Sequence, residues 1–169
     1  MFGLKVIAIL ALIALFVGSV ALGDALAGEK HRTRGVKPTV KWLPIEVPGE
    51  EGMVLASFEQ KGIETNLGGK SLFDGWLHHV VGLWEANEKT GVGSGHGYAV
   101  LTDRDGDKIY ARWEGKRIEG DPHSRGTGTI LKGTGKWTGI HGETTWVTTY
   151  VAPGQSYTDQ EWDIELPGR

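Results

Sequence analysis

The sequence predicts an all-β protein, an antiparallel barrel of roughly eight strands. Short segments of alternating or β-branched residues recur about every 8 to 12 residues, as in barrels and sandwiches. From residue 40 onward no helix is predicted, because glycines interrupt every segment at helix-breaking intervals. The length of 169 residues suits one domain with a core of its own.

The predicted strands follow one another with turns between them. The clearest pair lies on either side of Asp105-Gly106, because an Asp-Gly dipeptide between two alternating runs is a strong hairpin signal. Residues 72–88 fit a helix or a buried strand, and Gly75 and Gly82 inside them favour the strand. Further strands are predicted at residues 40–47, 53–63, 129–131, 144–151 and 156–166.

Glycine is the outlier of the composition. It accounts for 27 of 169 residues, about twice its usual share. A collagen-like chain is excluded because the glycines lack a three-residue period, and a disordered tract is excluded because large apolar residues lie between them. In a small barrel, glycine allows the kinks and bulges that strongly coiled strands need.

Charge and cysteine content exclude several classes of protein. The formal net charge is −3 and no basic cluster is present, so binding to nucleic acid is not expected. The chain has no cysteine, so it has neither a disulfide nor the residue that would carry a lipoprotein anchor. Packing must therefore stabilise the fold.

Residues 1–27 have the layout of a secretory signal peptide. Lys5 precedes an apolar run over residues 6–17, and a small-x-small site ends at Ala27. The run is short for a membrane-spanning helix, although an uncleaved anchor is the alternative. Cleavage predicts a secreted or periplasmic protein without membrane contact. Residues 28–39 are predicted to be a polar linker, and residues 40–169 the single barrel domain.

The stretch over residues 126–142 resembles a known fold family. It contains Gly-Thr-Gly twice, followed by a Lys-Trp pair and a Gly-Ile-His-Gly corner. This glycine-rich pattern resembles that of bacterial secreted barrel proteins similar in fold to allene oxide cyclase and the dirigent proteins. The resemblance implies an eight-stranded, calycin-like antiparallel barrel with a lumen for a small apolar ligand. It carries no catalytic signature, so no catalytic residue is assigned.

Two local patterns resemble a calcium loop and a phosphate loop, but neither has all the residues that such a loop needs. Asp103, Asp105, Asp107 and Glu114 are spaced like calcium-loop ligands, but Lys108 stands where that loop needs glycine. The glycine clusters lead into strands and lack the Lys-Ser or Lys-Thr of a phosphate loop. No cofactor is therefore expected.

The histidines of the predicted domain lack the local spacing of a zinc site. A barrel can still bring distant ligands together, so zinc stays an alternative, but no metal ligand is assigned. His78 and His79 are neighbours in a predicted strand, so only one of them can face the lumen.

The large aromatic side chains are the best candidates for a binding site. Indole and phenol rings at a barrel mouth combine apolar area with hydrogen bonding. Trp146 and Tyr150 share one face of a predicted strand, and we expect that face to point inward. The predicted ligand-binding residues are Trp84, Tyr98, Trp113, Trp146 and Tyr150.

Three functional hypotheses follow. The first is an exported small barrel that binds a small apolar or aromatic ligand in its lumen. The second is an isomerase or cyclase of the allene oxide cyclase type, in which the barrel wall holds a reactive substrate in one shape. The third is a dirigent-like envelope interaction protein with a filled barrel and no ligand. All three are compatible with a monomer or an oligomer.

Overall fold

A computed structural model describes residues 28–68 and 71–166, which form an antiparallel β-barrel. Its strands are β1 (Glu29–Val36), β2 (Thr39–Glu46), β3 (Met53–Asn66), β4 (Leu77–Asn87), β5 (Gly93–Thr102), β6 (Lys108–Arg117), β7 (His123–Gly133), β8 (His141–Ala152) and β9 (Gln155–Glu165). A 3₁₀ turn, Gly135–Trp137, lies between β7 and β8. In the part of the chain so described, no helix is long and apolar enough to cross a membrane. The predicted all-β class is confirmed.

Eight strands close the barrel and a ninth extends it. The sheet order is β1-β9-β8-β7-β6-β5-β4-β3-β2, and pairing of β1 with β3 joins the sheet to itself. β2 also pairs with β3, along the stretch of β3 that β1 leaves free. Lys37-Pro38 separates β1 from β2, where proline has no amide hydrogen to continue the ladder.

Strand β1 corrects the prediction of a polar linker over residues 28–39. β1 pairs with β9 along its whole length, and its inner face consists of His31, Thr33 and Gly35, all of which are buried. The linker prediction was wrong because this buried face is polar or small, so the alternation carries no apolar signal. The predicted signal peptide, residues 1–27, lies outside the described residues.

The hairpin predicted at Asp105-Gly106 is confirmed. β5 and β6 pair continuously from Gly93 opposite Arg117 at one end to Thr102 opposite Lys108 at the other. Gly106 has a φ of 91°, a left-handed conformation that glycine adopts without steric cost. The ambiguous stretch at residues 72–88 contains β4, so the preference for a strand there is also confirmed.

The acidic residues of this hairpin turn are structural. Asp103 Oδ1 accepts hydrogen bonds from the amides of Asp105 at 2.8 Å and Asp107 at 3.0 Å. Its Oδ2 accepts one from the Trp137 indole at 2.9 Å and lies 2.8 Å from Lys136 Nζ. Burial raises the pKa of Asp103, but these bonds outweigh it and hold the pKa at about 2. The carboxylate therefore fastens the 3₁₀ turn to the hairpin.

A hydrophobic core closes one end of the barrel, which we call the closed end. The loop between β3 and β4 carries Phe73 and Trp76 into this end, where the Phe73 ring centroid lies 5.2 Å from that of Trp76 and 4.8 Å from that of Trp162. The other core residues are Leu101, Ile109, Ile130, Ile140 and Ile164. The hairpins β4–β5, β6–β7 and β8–β9 lie at the opposite end, which we call the mouth.

Candidate ligand-binding cavity

A cavity of about 820 Å³ lies within the barrel. Pockets for small molecules typically measure about 300–1,000 Å³ and are lined mainly by apolar and aromatic groups. This cavity follows that pattern, because its wall includes Trp42, Phe58, Val80, Ala99 and Ala111 besides the residues described below. Trp162 belongs both to the wall and to the core of the closed end, so the core forms the floor of the cavity.

Glycines make room for three tryptophans of the cavity wall. A Cβ atom added at any of six strand glycines would collide with a tryptophan ring. Each ring therefore packs against backbone, and space remains in the lumen. The composition predicts that the excess glycines serve kinks and bulges, whereas these six glycines provide close packing within strands. The contacts join Trp84 to Gly93 and Gly95, Trp113 to Gly82 and Gly97, and Trp146 to Gly115 and Gly126.

Four of the five predicted ligand-binding residues line the cavity, namely Trp84, Trp113, Trp146 and Tyr150. Tyr98 does not. Its side chain is 56% exposed on the outside of β5, whose inner face carries Ala99 and Leu101. The prediction that Tyr98 faces the lumen was wrong. Both faces of β5 carry apolar or aromatic side chains, so the alternation does not show which face points inward. Ligand binding by the other four stays a prediction.

Three polar side chains meet beside the floor of the cavity. Lys37, Glu64 and His78 are all buried, with at most 4% of any of them exposed. His78 Nδ1 contacts Glu64 Oε1, and Lys37 Nζ lies 3.3 Å from that nitrogen and 3.8 Å from that oxygen. Lys37 and His78 also line the cavity. We call these three residues the floor triad.

The charges of the floor triad follow from its geometry. Burial raises the pKa of Glu64, but the charges of His78 and Lys37 and hydrogen bonds from His78 and Thr33 outweigh it and hold the pKa at about 2. Burial, together with the Lys37 charge, lowers the pKa of His78. Burial also lowers the pKa of Lys37, and the Glu64 charge opposes that effect. At neutral pH the glutamate is a carboxylate and the imidazole is neutral.

Several polar atoms of the cavity wall have no partner among the described residues. They are His78 Nε2, Gln160 Nε2 and Trp113 Nε1, and all three are buried. Burial of polar atoms without a hydrogen bond is uncommon and costly. All three atoms are shielded from the lumen as well as from bulk solvent, so they do not mark the position of a ligand. Nearer the mouth, Tyr150 Oη lies 2.7 Å from Ser124 Oγ, and the Arg117 guanidinium lies 5.4 Å from the Tyr150 ring centroid.

Two members of the floor triad were not predicted from the sequence. Lys37 was placed in a linker, and Glu64 lies outside the predicted strand at residues 53–63. The expectation that only one of His78 and His79 faces the lumen is confirmed, because His78 is 3% exposed and lines the cavity, whereas His79 is paired with Glu59 outside. Over residues 28–68 and 71–166, no group of three or more His, Asp or Glu side chains is arranged to hold a metal ion.

Comparison with known proteins concerns the fold. No protein-family model matches the sequence, and no curated protein matches it. Among solved structures, the pterocarpan synthase dirigent protein is similar, with a TM-score of 0.50, 11% sequence identity, and coverage of 82% of this chain and 88% of that chain. At this identity the similarity shows the fold alone. The chain is an eight-stranded antiparallel barrel of the dirigent and allene oxide cyclase type, with one extra strand.

Proposed function

We propose that this protein binds a small apolar or aromatic molecule inside its barrel. The observation that carries the proposal is the cavity of about 820 Å³, whose wall is mainly aromatic and aliphatic. Tryptophan rings offer a ligand large apolar area with little loss of side-chain freedom, because their own packing against glycine already holds them. A filled barrel, which the interaction-protein hypothesis requires, would have no such space.

Export is the second part of the proposal. Residues 1–27 have a basic start, an apolar run and a small-x-small site, which is the pattern of a signal peptide cleaved after Ala27. The chain has no cysteine, so no disulfide can stabilise it in an oxidising compartment, and packing alone must stabilise the barrel there. Mass determination of the protein recovered from outside the cytoplasm would test this part, because cleavage predicts an N-terminus at Gly28 and an anchor predicts the full chain.

An isomerase or cyclase is the second candidate function. The floor triad favours it, because a neutral imidazole hydrogen-bonded to a carboxylate is an arrangement suited to proton transfer. In such an enzyme, the aromatic wall would hold the substrate in one conformation while His78 accepts or returns a proton. Conversion of a bound molecule, abolished by His78→Gln while binding persists, would favour this candidate over simple carriage.

Binding can be tested with a neutral fluorescent probe, N-phenyl-1-naphthylamine, and by mass spectrometry of small molecules that co-purify with the protein from its native compartment. We expect saturable probe binding at one site and displacement by the co-purifying molecule. The variant Ala111→Leu tests whether the probe binds in the lumen, because Ala111 is 3% exposed and lines the cavity. Its larger side chain should weaken probe binding about tenfold or more by occupying the lumen. Failure of both the probe and the extraction would contradict the proposal.

A further inference from the structure

We propose that Lys37 is a covalent attachment site, at which the side-chain amine condenses with the carbonyl group of a ligand in the cavity to form an imine. The inference rests on the proposed ligand binding and adds a chemical class to it. The ligand is an apolar or aromatic aldehyde whose carbonyl end reaches the floor of the cavity.

The first step of the argument is that Lys37 points into the barrel. Gly35 and Lys37 are buried, whereas Val36 between them is 54% exposed, so the alternation of β1 continues to Lys37. A Cβ atom added at Gly35, on the inner face of β1, would lie 2.9 Å from Lys37 Cε and 3.1 Å from Lys37 Nζ. The lysine side chain therefore lies along the inner surface of β1, and Lys37 lines the cavity.

The second step is that burial makes this lysine different from the others. Among the lysines that the structure describes, Lys37 alone is buried, and all the others are exposed. Burial disfavours the ammonium form and lowers the pKa of Lys37, although the Glu64 charge opposes that effect. At a given pH, a larger fraction of this amine is therefore unprotonated than at an exposed lysine. The unprotonated amine is the nucleophile that forms an imine.

The third step is that the neighbours of the amine do not occupy its lone pair. Within the described part of the chain, the hydrogen-bonding contact of Lys37 Nζ is with His78 Nδ1, at 3.3 Å. Glu64 is a carboxylate and has no proton to give, so the hydrogen between Glu64 and His78 belongs to Nδ1. Nδ1 then has no lone pair for Lys37, and Glu64 Oε1, at 3.8 Å, lies beyond hydrogen-bond distance. The amine can therefore turn toward a carbonyl carbon without breaking a strong hydrogen bond.

The fourth step is that the reaction needs no further reactant. The Nζ lone pair attacks the carbonyl carbon, and a C=N double bond replaces the C=O bond. Counted from the ammonium form, two hydrogens leave with the carbonyl oxygen as water, and the third stays on the imine nitrogen. The positive charge is therefore conserved on Nζ. Glu64 Oε1, at 3.8 Å, serves as the counter-ion of the protonated imine as it does of the ammonium.

The apolar wall of the cavity favours the imine over its hydrolysis. Phe58, Val80 and Trp113 are among the residues that would surround the body of the ligand. A bound apolar molecule displaces water from such a wall. Hydrolysis consumes water, so a ligand that fills the lumen protects its own attachment.

The test is reductive trapping of the protein with 2-naphthaldehyde near neutral pH. Sodium cyanoborohydride reduces an imine to a stable secondary amine, and the mass of the intact protein then reports the number of naphthylmethyl groups. Peptide mapping should place one group at Lys37, labelled about tenfold faster than any exposed lysine, because the cavity holds the aldehyde beside the amine. An excess of N-phenyl-1-naphthylamine should suppress labelling at Lys37 and leave labelling of the exposed lysines unchanged. This comparison uses the wild type and does not depend on the folding of a variant.

Two arginine variants make the test specific. Lys37→Arg keeps a cation beside Glu64 but removes the amine, so rapid labelling should be lost while N-phenyl-1-naphthylamine still binds. Lys61→Arg is the matched control, because the Lys61 side chain is 57% exposed and its Nζ pairs with Glu59 Oε1 at 2.7 Å. This control should keep rapid labelling at Lys37.

The possible results separate the inference from the function on which it rests. Labelling of Lys37 no faster than that of the exposed lysines, with binding of N-phenyl-1-naphthylamine intact, would overturn the attachment site and leave apolar binding in place. Rapid labelling of Lys37 that N-phenyl-1-naphthylamine does not suppress would also overturn it, because the aldehyde would then reach the amine from outside the cavity. Absence of N-phenyl-1-naphthylamine binding together with unselective labelling would overturn the proposed function, and the attachment site with it.

Discussion

At the closed end of the barrel, Phe73, Trp76 and Trp162 pack on one another. Toward the mouth, Trp113 also contacts the rings of Phe58 and Trp146, but Trp84, Trp113 and Trp146 each pack on glycine backbone as well. The first arrangement fills the barrel and buries Phe73 completely. The second leaves a cavity of about 820 Å³. The same kinds of side chain therefore make a solid core at one end and the wall of a lumen at the other, where six strand glycines stand beside the three tryptophan rings.

The largest expected effect contrasts truncations in the two regions. Phe73→Ala should lower the free energy of unfolding by about 3–5 kcal/mol, because it leaves a void among fully packed rings. Trp84→Ala should cost about 1–2 kcal/mol, because one side of that ring already faces the cavity. Urea unfolding of both variants measures the difference. Equal losses would contradict the distinction between a filled and an open region.

The next effect concerns the floor triad, which lies between the two regions. Glu64→Gln should lower the free energy of unfolding by about 3 kcal/mol, because it leaves Lys37 buried without a counter-charge. Lys37→Met added to Glu64→Gln should recover most of the loss, since no buried charge remains. Urea unfolding at neutral pH measures both. A double variant less stable than the single one would contradict this account.

The pH dependence of stability gives a check on the same pair. The pKa of Glu64 is about 2 in the folded protein and 4.5 as its ordinary value. A carboxylate whose pKa is lower in the folded protein than in the unfolded chain stabilises the fold at pH values above its ordinary pKa. This stabilisation is lost as the pH falls toward the pKa of the folded state. The wild type should therefore lose stability between pH 4.5 and 2 more steeply than the Glu64→Gln variant.

The smallest effect tests the packing of tryptophan on glycine. Gly115→Ala places a methyl group where Trp146 lies, and it should cost about 1–3 kcal/mol through overpacking. The displaced ring should also weaken binding of N-phenyl-1-naphthylamine. Trp146→Leu added to Gly115→Ala should restore part of the stability, because the smaller side chain removes the clash with the ring while the close approach of the methyl group to the Arg125 carbonyl remains. Additive losses in that double variant would show that the two residues do not contact each other.

Local signals predicted much of the fold. The Asp105-Gly106 turn and the strand predicted at residues 156–166 need only neighbours in sequence, and both are found as expected. Strand β1 was missed because its buried face is not apolar: Thr33 accepts a hydrogen bond from the Trp162 indole at 3.3 Å. That contact joins residues far apart in the chain and leaves no local pattern.

The candidate site was predictable only in its aromatic part. Large rings are conspicuous in a sequence, and four of the five that were selected line the cavity. Tyr98 was misplaced because successive side chains of a strand point to opposite faces, and the sequence of β5 does not identify which face is inside. The floor triad draws Lys37, Glu64 and His78 from different elements of the fold, so its members come together only once the barrel closes.

The pairing of β1 with β9 has a practical consequence. Glu29 lies opposite Ile164, and Ile164 belongs to the core of the closed end. The first strand of the barrel therefore begins, and the last strand ends, on the side away from the mouth. A purification tag, a surface attachment or a fused domain joined at either end would leave the entrance unobstructed. A circularly permuted chain could join these two ends by a short linker without crossing the opening.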